Sequence, residues 1–133
     1  MKRLIIVAAL ATLGACSREE APAPEATEEA AAAPVEVMAA DGKSPVGKYT
    51  VTTSAGVVFT EEVKADGTYV QTDKDGKVVE TGKWEQKSPT EYCTTKDGEG
   101  AKQKCNTEGI DAQGVWSSTG PEGKTATVVR VEA

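Results

Sequence analysis

From about residue 46 onward, apolar and polar residues alternate along the chain. Tyr49 and Val51 share one face of an extended segment, and Val57, Phe59 and Val63 share one face of the next. A period of two is typical of β-strands that bury one face. The pattern predicts eight short strands, at residues 46–53, 57–64, 68–73, 77–86, 90–96, 101–107, 113–119 and 124–131.

Turn sequences separate these segments, among them Ala65-Asp66-Gly67 and Lys74-Asp75-Gly76. Asp-Gly pairs favour tight hairpins because such turns need residues that accept a positive φ. The chain from Asp41 onward contains 12 Val and 14 Thr but no Leu, which suits pleated strands better than amphipathic helices. Residues 41–133 are therefore predicted to form an all-β domain. We expect a small antiparallel meander of about eight strands, closed as a barrel or folded as a sandwich.

The alternation also selects a predicted core, which the six aromatic residues of the chain fill only in part. Its members are Tyr49, Val51, Phe59, Tyr69, Val78, Trp84, Val129 and Val131, with Tyr92 and Trp116 as further candidates. Glu61 falls on the same face as Phe59. If Glu61 points inward, burial would raise the pKa of its carboxyl group. We expect instead a position near a strand end or at the mouth of the barrel.

The beginning of the chain has a different character. Lys2 and Arg3 precede twelve apolar or small residues at positions 4–15. This run is too short for a membrane-spanning helix, which needs about twenty residues. A basic start, a short apolar run and small residues at its end are typical of a secretory signal peptide. Residues 1–15 are predicted to be one.

The run ends in Leu13-Gly14-Ala15-Cys16, which resembles the lipobox of bacterial lipoproteins. The resemblance implies that Cys16 carries acyl chains and begins the mature chain, which is then membrane-anchored. It also implies, from Ser17, sorting to the outer membrane, facing the periplasm or the exterior. The alternative is a secreted protein cleaved after Ala15. Residues 16–40 are predicted to be the lipidated cysteine and a disordered linker, because positions 17–40 hold nine Ala, three Pro and six Glu.

The composition limits the catalytic groups, metal sites and partners that this chain can have. Histidine is absent, which removes the most common general base and zinc ligand. The 15 Lys+Arg against 21 Asp+Glu give a net charge of −6, which argues against nucleic acid as a partner and suits a basic one. Asp73-Lys74-Asp75-Gly76 has part of an EF-hand pattern but lacks its later ligands, so we interpret it as a hairpin turn. No catalytic residue, cofactor or metal site is predicted, and we expect no enzymatic activity.

The two remaining cysteines, Cys93 and Cys105, lie symmetrically about residue 99. This is the arrangement of directly opposed positions on two hairpin strands, and export would place them in an oxidising compartment. They are predicted to form a structural disulfide.

Two Gly-x-Trp sequences, Gly82-Lys83-Trp84 and Gly114-Val115-Trp116, resemble a motif of lipocalin-type barrels. That resemblance implies a ligand-binding barrel, although the motif lies on the first strand in that family and on about the fourth and seventh here. We expect instead that each glycine makes room for the neighbouring indole at a bend.

Three functions follow as hypotheses. The first is a non-catalytic envelope module that binds a basic protein or a glycan, or has a structural role. The domain resembles small β-rich bacterial lipoproteins, and this resemblance implies no particular activity. The second is a small-molecule binder, which requires a cavity of about 300 Å³ or more lined by Tyr and Trp. The third is an enzyme, which would need converging carboxyl groups with perturbed pKa values.

Overall fold

The computed structural model describes residues 35–132 of the chain. Eight antiparallel strands follow one another in chain order, and the last pairs with the first, so the sheet closes into a barrel. The strands are β1 (Gly47–Thr53), β2 (Val58–Val63), β3 (Thr68–Asp73), β4 (Val78–Ser88), β5 (Glu91–Lys96), β6 (Lys104–Ile110), β7 (Trp116–Thr119) and β8 (Thr125–Val131). The prediction of an all-β domain is confirmed, in its closed-barrel form. Residues 35–132 include no helix long and apolar enough to cross a membrane.

The predicted signal peptide, Cys16 and the linker up to residue 34 lie outside the described residues. The final part of the predicted linker, residues 35–40, lies within the described residues. Residues 35–40 belong to the compact unit Val35–Ala133, and Ala39 is buried against Tyr49 and Trp116 in its core. The linker therefore ends earlier than we expected.

Local turn chemistry explains why the strands end where they do. Asp73 Oδ1 accepts hydrogen bonds from the backbone N–H groups of Asp75 and Lys77, and Gly76 takes a φ of 80°. This arrangement confirms the hairpin interpretation of the Asp-Lys-Asp-Gly sequence. A similar turn, in which Asp111 Oδ1 accepts from the backbone of Val115, delays β7 to Trp116. The seventh strand is therefore shorter than predicted.

The inward phase of β8 differs from the prediction. Val128 is buried, whereas Val129 and Val131 are 58% and 43% exposed. Arg130 takes the inward position near the strand end because it binds the Asp41 carboxylate, with Nε 2.6 Å from Oδ2. The predicted core positions at Val129 and Val131 are wrong.

The prediction of Val78 as a core residue is also wrong, because its side chain is 53% exposed. The ladder between β3 and β4 shifts register here, with Thr72 opposite Val78 but Gln71 opposite Glu80. Such a bulge inserts one residue and interrupts the alternation on that strand. The other predicted members face inward: Tyr49, Tyr69 and Trp116 are buried, and Val51, Phe59, Trp84 and Tyr92 are partly buried.

The segment before β1 covers one end of the barrel. Besides the contact of Ala39, the Tyr49 hydroxyl donates to the Pro45 carbonyl oxygen at 2.6 Å. The Arg130 guanidinium lies 4.8 Å from the centroid of the Tyr49 ring and binds Asp41, with 16% of each of the two charged side chains exposed. A partly buried ion pair and a cation–π contact thus stabilise this end of the barrel.

The predicted disulfide is confirmed. Cys93 and Cys105 are register partners on β5 and β6, their sulfur atoms are bonded, and their Cα atoms are 4.0 Å apart. The close spacing is that of a non-hydrogen-bonded antiparallel pair. Glu91 lies beside both sulfur atoms, but a disulfide has no thiolates to offer a metal ion.

Neither glycine of the two Gly-x-Trp sequences makes room for its own tryptophan. A Cβ on Gly82 would meet the backbone of Thr95 and Lys96 and would lie 2.8 Å from Cε1 of Tyr69, so this glycine admits the tyrosine ring and the neighbouring strand. Gly114 has open space around it and a φ of 81°, so it serves the turn before β7. The expectation of room for an indole at a bend is wrong at both positions.

Candidate functional site

The barrel encloses a cavity of about 460 Å³. It extends from Ser54 and Gly120, in connections at one end, to Ala39 and Pro45 at the covered end. Apolar side chains of the wall are Val51, Phe59, Val63, Ala126 and Val128, and polar or aromatic ones are Tyr49, Glu61, Gln71, Gln86, Tyr92, Thr94, Asn106, Glu108, Trp116 and Ser118. The cavity therefore combines apolar surface with a set of hydrogen-bonding groups, as small-molecule sites do.

Glu61 points into this cavity from the middle of β2. It is 8% exposed, so the expectation that it lies at a strand end or at the mouth is wrong and the inward alternative is correct. Gln71 Nε2 donates to Glu61 Oε2 at 2.6 Å, and the Tyr92 hydroxyl donates to Oε1 at 2.9 Å. Burial raises the pKa of Glu61, while these two hydrogen bonds oppose the rise.

Glu108 is a second buried carboxyl group, on β6, and is 7% exposed. Burial raises its pKa to about 7, and the negative charge of Glu61 adds to the rise. Polar contacts from Gln86 and Trp116 act in the opposite direction, yet Glu108 Oε2 and Trp116 Nε1 are both buried without a hydrogen-bond partner. Gln86 and Trp116 thus approach the carboxyl group without a well-formed hydrogen bond, so the acceptor capacity of Glu108 is not filled by the described residues.

Aromatic rings stand close to these carboxyl groups. The rings of Tyr49 and Trp116 meet edge to face with centroids 5.6 Å apart, and Tyr92 stacks on Trp84 at 6.4 Å. Burial raises the pKa of Tyr49 to about 12, so its hydroxyl stays protonated at neutral pH. Tyr49, Tyr92 and Trp116 face the cavity as hydrogen-bonding aromatic groups.

Sequence reasoning considered an inward Glu61 but expected this residue at a strand end or at the mouth, and it missed Glu108. The sixth strand was predicted at residues 101–107, whereas β6 is Lys104–Ile110, so Glu108 fell beyond the predicted strand. The position of the disulfide could have indicated that Glu108 faces inward. If the Cys93–Cys105 bridge lies on the outer face of the barrel, alternation places Asn106 and Glu108 on the inner face.

Searches against protein-family models, curated proteins and solved structures find no match to this chain. The geometry of the cavity is therefore the basis for a proposal about function.

Proposed function

We propose that this chain is a lipid-anchored envelope protein whose barrel binds a small molecule in its interior. The observation that carries the ligand-binding part is the cavity of about 460 Å³ lined by Tyr49, Tyr92 and Trp116. This volume exceeds the 300 Å³ or so at which ligand pockets begin. It favours the small-molecule alternative over a module that binds a protein or glycan through its outer surface.

The composition of the wall supports the same proposal. A purely structural barrel of this size fills its interior with side chains, as small closed barrels do. Here the wall instead keeps hydroxyl, amide and carboxyl groups facing a space that a ligand of moderate size can occupy. Apolar groups contribute affinity there, and the few polar groups fix orientation.

The binding test uses the chain from Ser17 onward, which retains the whole compact unit Val35–Ala133 and is exported so that its disulfide forms. The probe is N-phenyl-1-naphthylamine, a fluorophore that is uncharged at neutral pH and brightens in apolar surroundings. Ala126→Phe fills the cavity wall, and Thr127→Phe places the same ring on the exposed outer face. We expect Ala126→Phe to lose binding and Thr127→Phe to retain it, with unchanged circular dichroism for both. Equal binding by the two variants would contradict an interior site.

The anchor is a separate part of the proposal and rests on the lipobox resemblance at Cys16. We expect the full-length chain to fractionate with the outer membrane and to lose this association on Cys16→Ala. Glu20→Ala is the matched control, since it changes a residue outside the lipobox and leaves the Cys93–Cys105 disulfide intact. If the Cys16→Ala variant stayed with the membrane as firmly as the natural chain, the anchor would be excluded.

The barrel is proposed as a binder and not as an enzyme. Both oxygens of Glu61 already accept hydrogen bonds, which suits a positioned acceptor better than a proton-transfer group. A screen for esterase, glycosidase and phosphatase activity should be blank. Reproducible turnover that disappears on Glu108→Gln would replace binding by catalysis as the function.

A further inference from the structure

We propose that the ligands of this cavity are organic ammonium compounds with an aromatic or apolar body, whose charged nitrogen binds Glu108 beside Glu61. The inference rests on the proposed ligand-binding function and adds the chemical class of the ligand. Three features of the cavity lead to it, namely the balance of charge, the unfilled acceptor of Glu108 and the aromatic rings.

The charge of the cavity is unbalanced. Glu61 and Glu108 are two buried carboxyl groups. Among the described residues that line the cavity, the one cationic residue is Lys124. Lys124 belongs to the connection before β8; its side chain is 82% exposed and pairs with Glu122 at 3.1 Å. It is therefore solvated and already engaged. A buried carboxylate without a countercharge is strongly destabilised, and a bound cation removes that penalty.

The second feature distinguishes the two carboxyl groups. Both oxygens of Glu61 accept hydrogen bonds from side chains of the wall. Glu108 Oε2 is buried and accepts no well-formed hydrogen bond from the described residues, although Gln86 and Trp116 approach the carboxyl group. Ser118 lies directly across the strand pair from Glu108, and its hydroxyl oxygen accepts from Asn106 at 3.1 Å. An ammonium group carries three donors. Glu108 therefore offers the first acceptor for such a group, and neighbouring oxygens of the wall offer more.

The aromatic rings provide the third feature. Tyr49, Tyr92 and Trp116 line the cavity, and cations bind favourably over such rings. The ring of Tyr49 already holds the Arg130 guanidinium, 4.8 Å from its centroid. The same wall accommodates the flat body of an aromatic amine, because aromatic pairs prefer edge-to-face or offset contacts.

Anionic and neutral ligands would interact differently with the two carboxyl groups. An anion would meet two carboxyl groups and would be repelled, or would have to bind only when both are protonated. A neutral alcohol could pair with Glu108 but would leave the charge of its ionised form uncompensated. Tryptamine, tryptophol and indole-3-acetate separate these cases, since they share one indole ring and carry a positive, a neutral and a negative group.

The experiment measures the affinity of each compound by displacement of N-phenyl-1-naphthylamine from the chain beginning at Ser17. We expect tryptamine to bind about ten-fold tighter than tryptophol, because hydrogen bonds to charged groups are the stronger ones. Indole-3-acetate should bind most weakly. Glu108→Gln should reduce the affinity for tryptamine to about that for tryptophol, because the amide offers an acceptor without the negative charge. Glu62→Gln, on the exposed outer face of β2, removes the same charge and should leave the affinities of all three compounds unchanged.

Each result separates this inference from the proposed function. If all three compounds bind equally, or none binds while the fluorophore does, the ammonium class is wrong and the ligand-binding barrel stands. If neither the fluorophore nor the three compounds bind, both proposals fail. If Glu108→Gln retains the ten-fold preference for tryptamine with an unchanged dichroism spectrum, the assignment of the ammonium group to Glu108 is overturned.

Discussion

Glu108 should make this barrel less stable as the pH rises from about 4.5 to about 8. Its pKa is about 7 in the folded chain and 4.5 as a free side chain. Between these two values the folded state keeps a proton that the unfolded state has lost, so stability falls as the pH rises. The gap between the two pKa values corresponds to a loss of about 3 kcal/mol, which is complete at about pH 8. Glu61 adds to this loss, since burial raises its pKa too.

The loss at neutral pH is distinct from acid unfolding. The Asp41 carboxyl group is partly desolvated, which alone would raise its pKa, but hydrogen bonds from Arg130 and the Lys43 backbone lower it below 3.8. The stabilisation from ionised Asp41 is therefore present above pH 3.8 and is lost as the pH falls below it. The two effects occupy different pH ranges, so the contributions of Glu108 and Asp41 to stability are together most favourable at about pH 4 to 5.

Urea unfolding at several pH values between about 4 and 8 tests this reasoning. The natural chain should lose about 3 kcal/mol over the range. Glu108→Gln, which cannot ionise, should lose much less and should be the more stable protein at pH 8. Glu62→Gln, on the outer face, should follow the natural chain. A stability that rises from pH 5 to pH 7.5 in the natural chain would refute the assignment of a high pKa to Glu108.

Three further expectations concern what holds the barrel together, each measured by denaturant unfolding. Replacing Cys93 and Cys105 by Ala should cost about 3 kcal/mol, because the bridge closes a loop of sequence separation 12; an unchanged midpoint would make the bridge energetically irrelevant. Asp41→Asn should cost about 1 to 2 kcal/mol because it leaves the partly buried Arg130 without its partner, whereas Asp75→Asn, in an exposed pair with Lys74, should cost under about 1 kcal/mol. Gly82→Ala should cost more than 1 kcal/mol or so, since its Cβ would enter the adjacent strand; a neutral result would show that β5 moves easily.

The fold was predictable because its determinants are local. Asp-Gly turns and the Val- and Thr-rich alternation between them depend on residues within a few positions of each other, and they predict eight strands in nearly the observed places. The disulfide was predictable for a related reason. A hairpin places positions at equal distances from its turn opposite each other, and Cys93 and Cys105 are register partners.

The wrong predictions concern residues whose inward or outward orientation depends on more than their neighbours in the sequence. Val128, Val129 and Val131 are compatible with either phase of β8, and the phase is settled by the ion pair of Arg130 with Asp41, 89 positions away in the chain. Val78 was misplaced because a bulge shifts the register of β4 against β3, and no turn sequence marks that bulge. Glu108 was missed because the end of the sixth strand was placed too early.

The two interior carboxyl groups are the places where this sequence departs from what its own fold requires. Turns, strand residues and apolar alternation agree with the barrel almost everywhere, whereas Glu61 and Glu108 occupy inward positions that an apolar or amide side chain would fill at lower free energy. Such departures are expected at functional sites. A structural role for Glu108 would make Glu108→Gln less stable at neutral pH, while a ligand-binding role makes it more stable and impairs recognition of the amine. The sign of the stability change, measured together with tryptamine affinity, therefore separates a carboxyl group retained for the fold from one retained for a ligand.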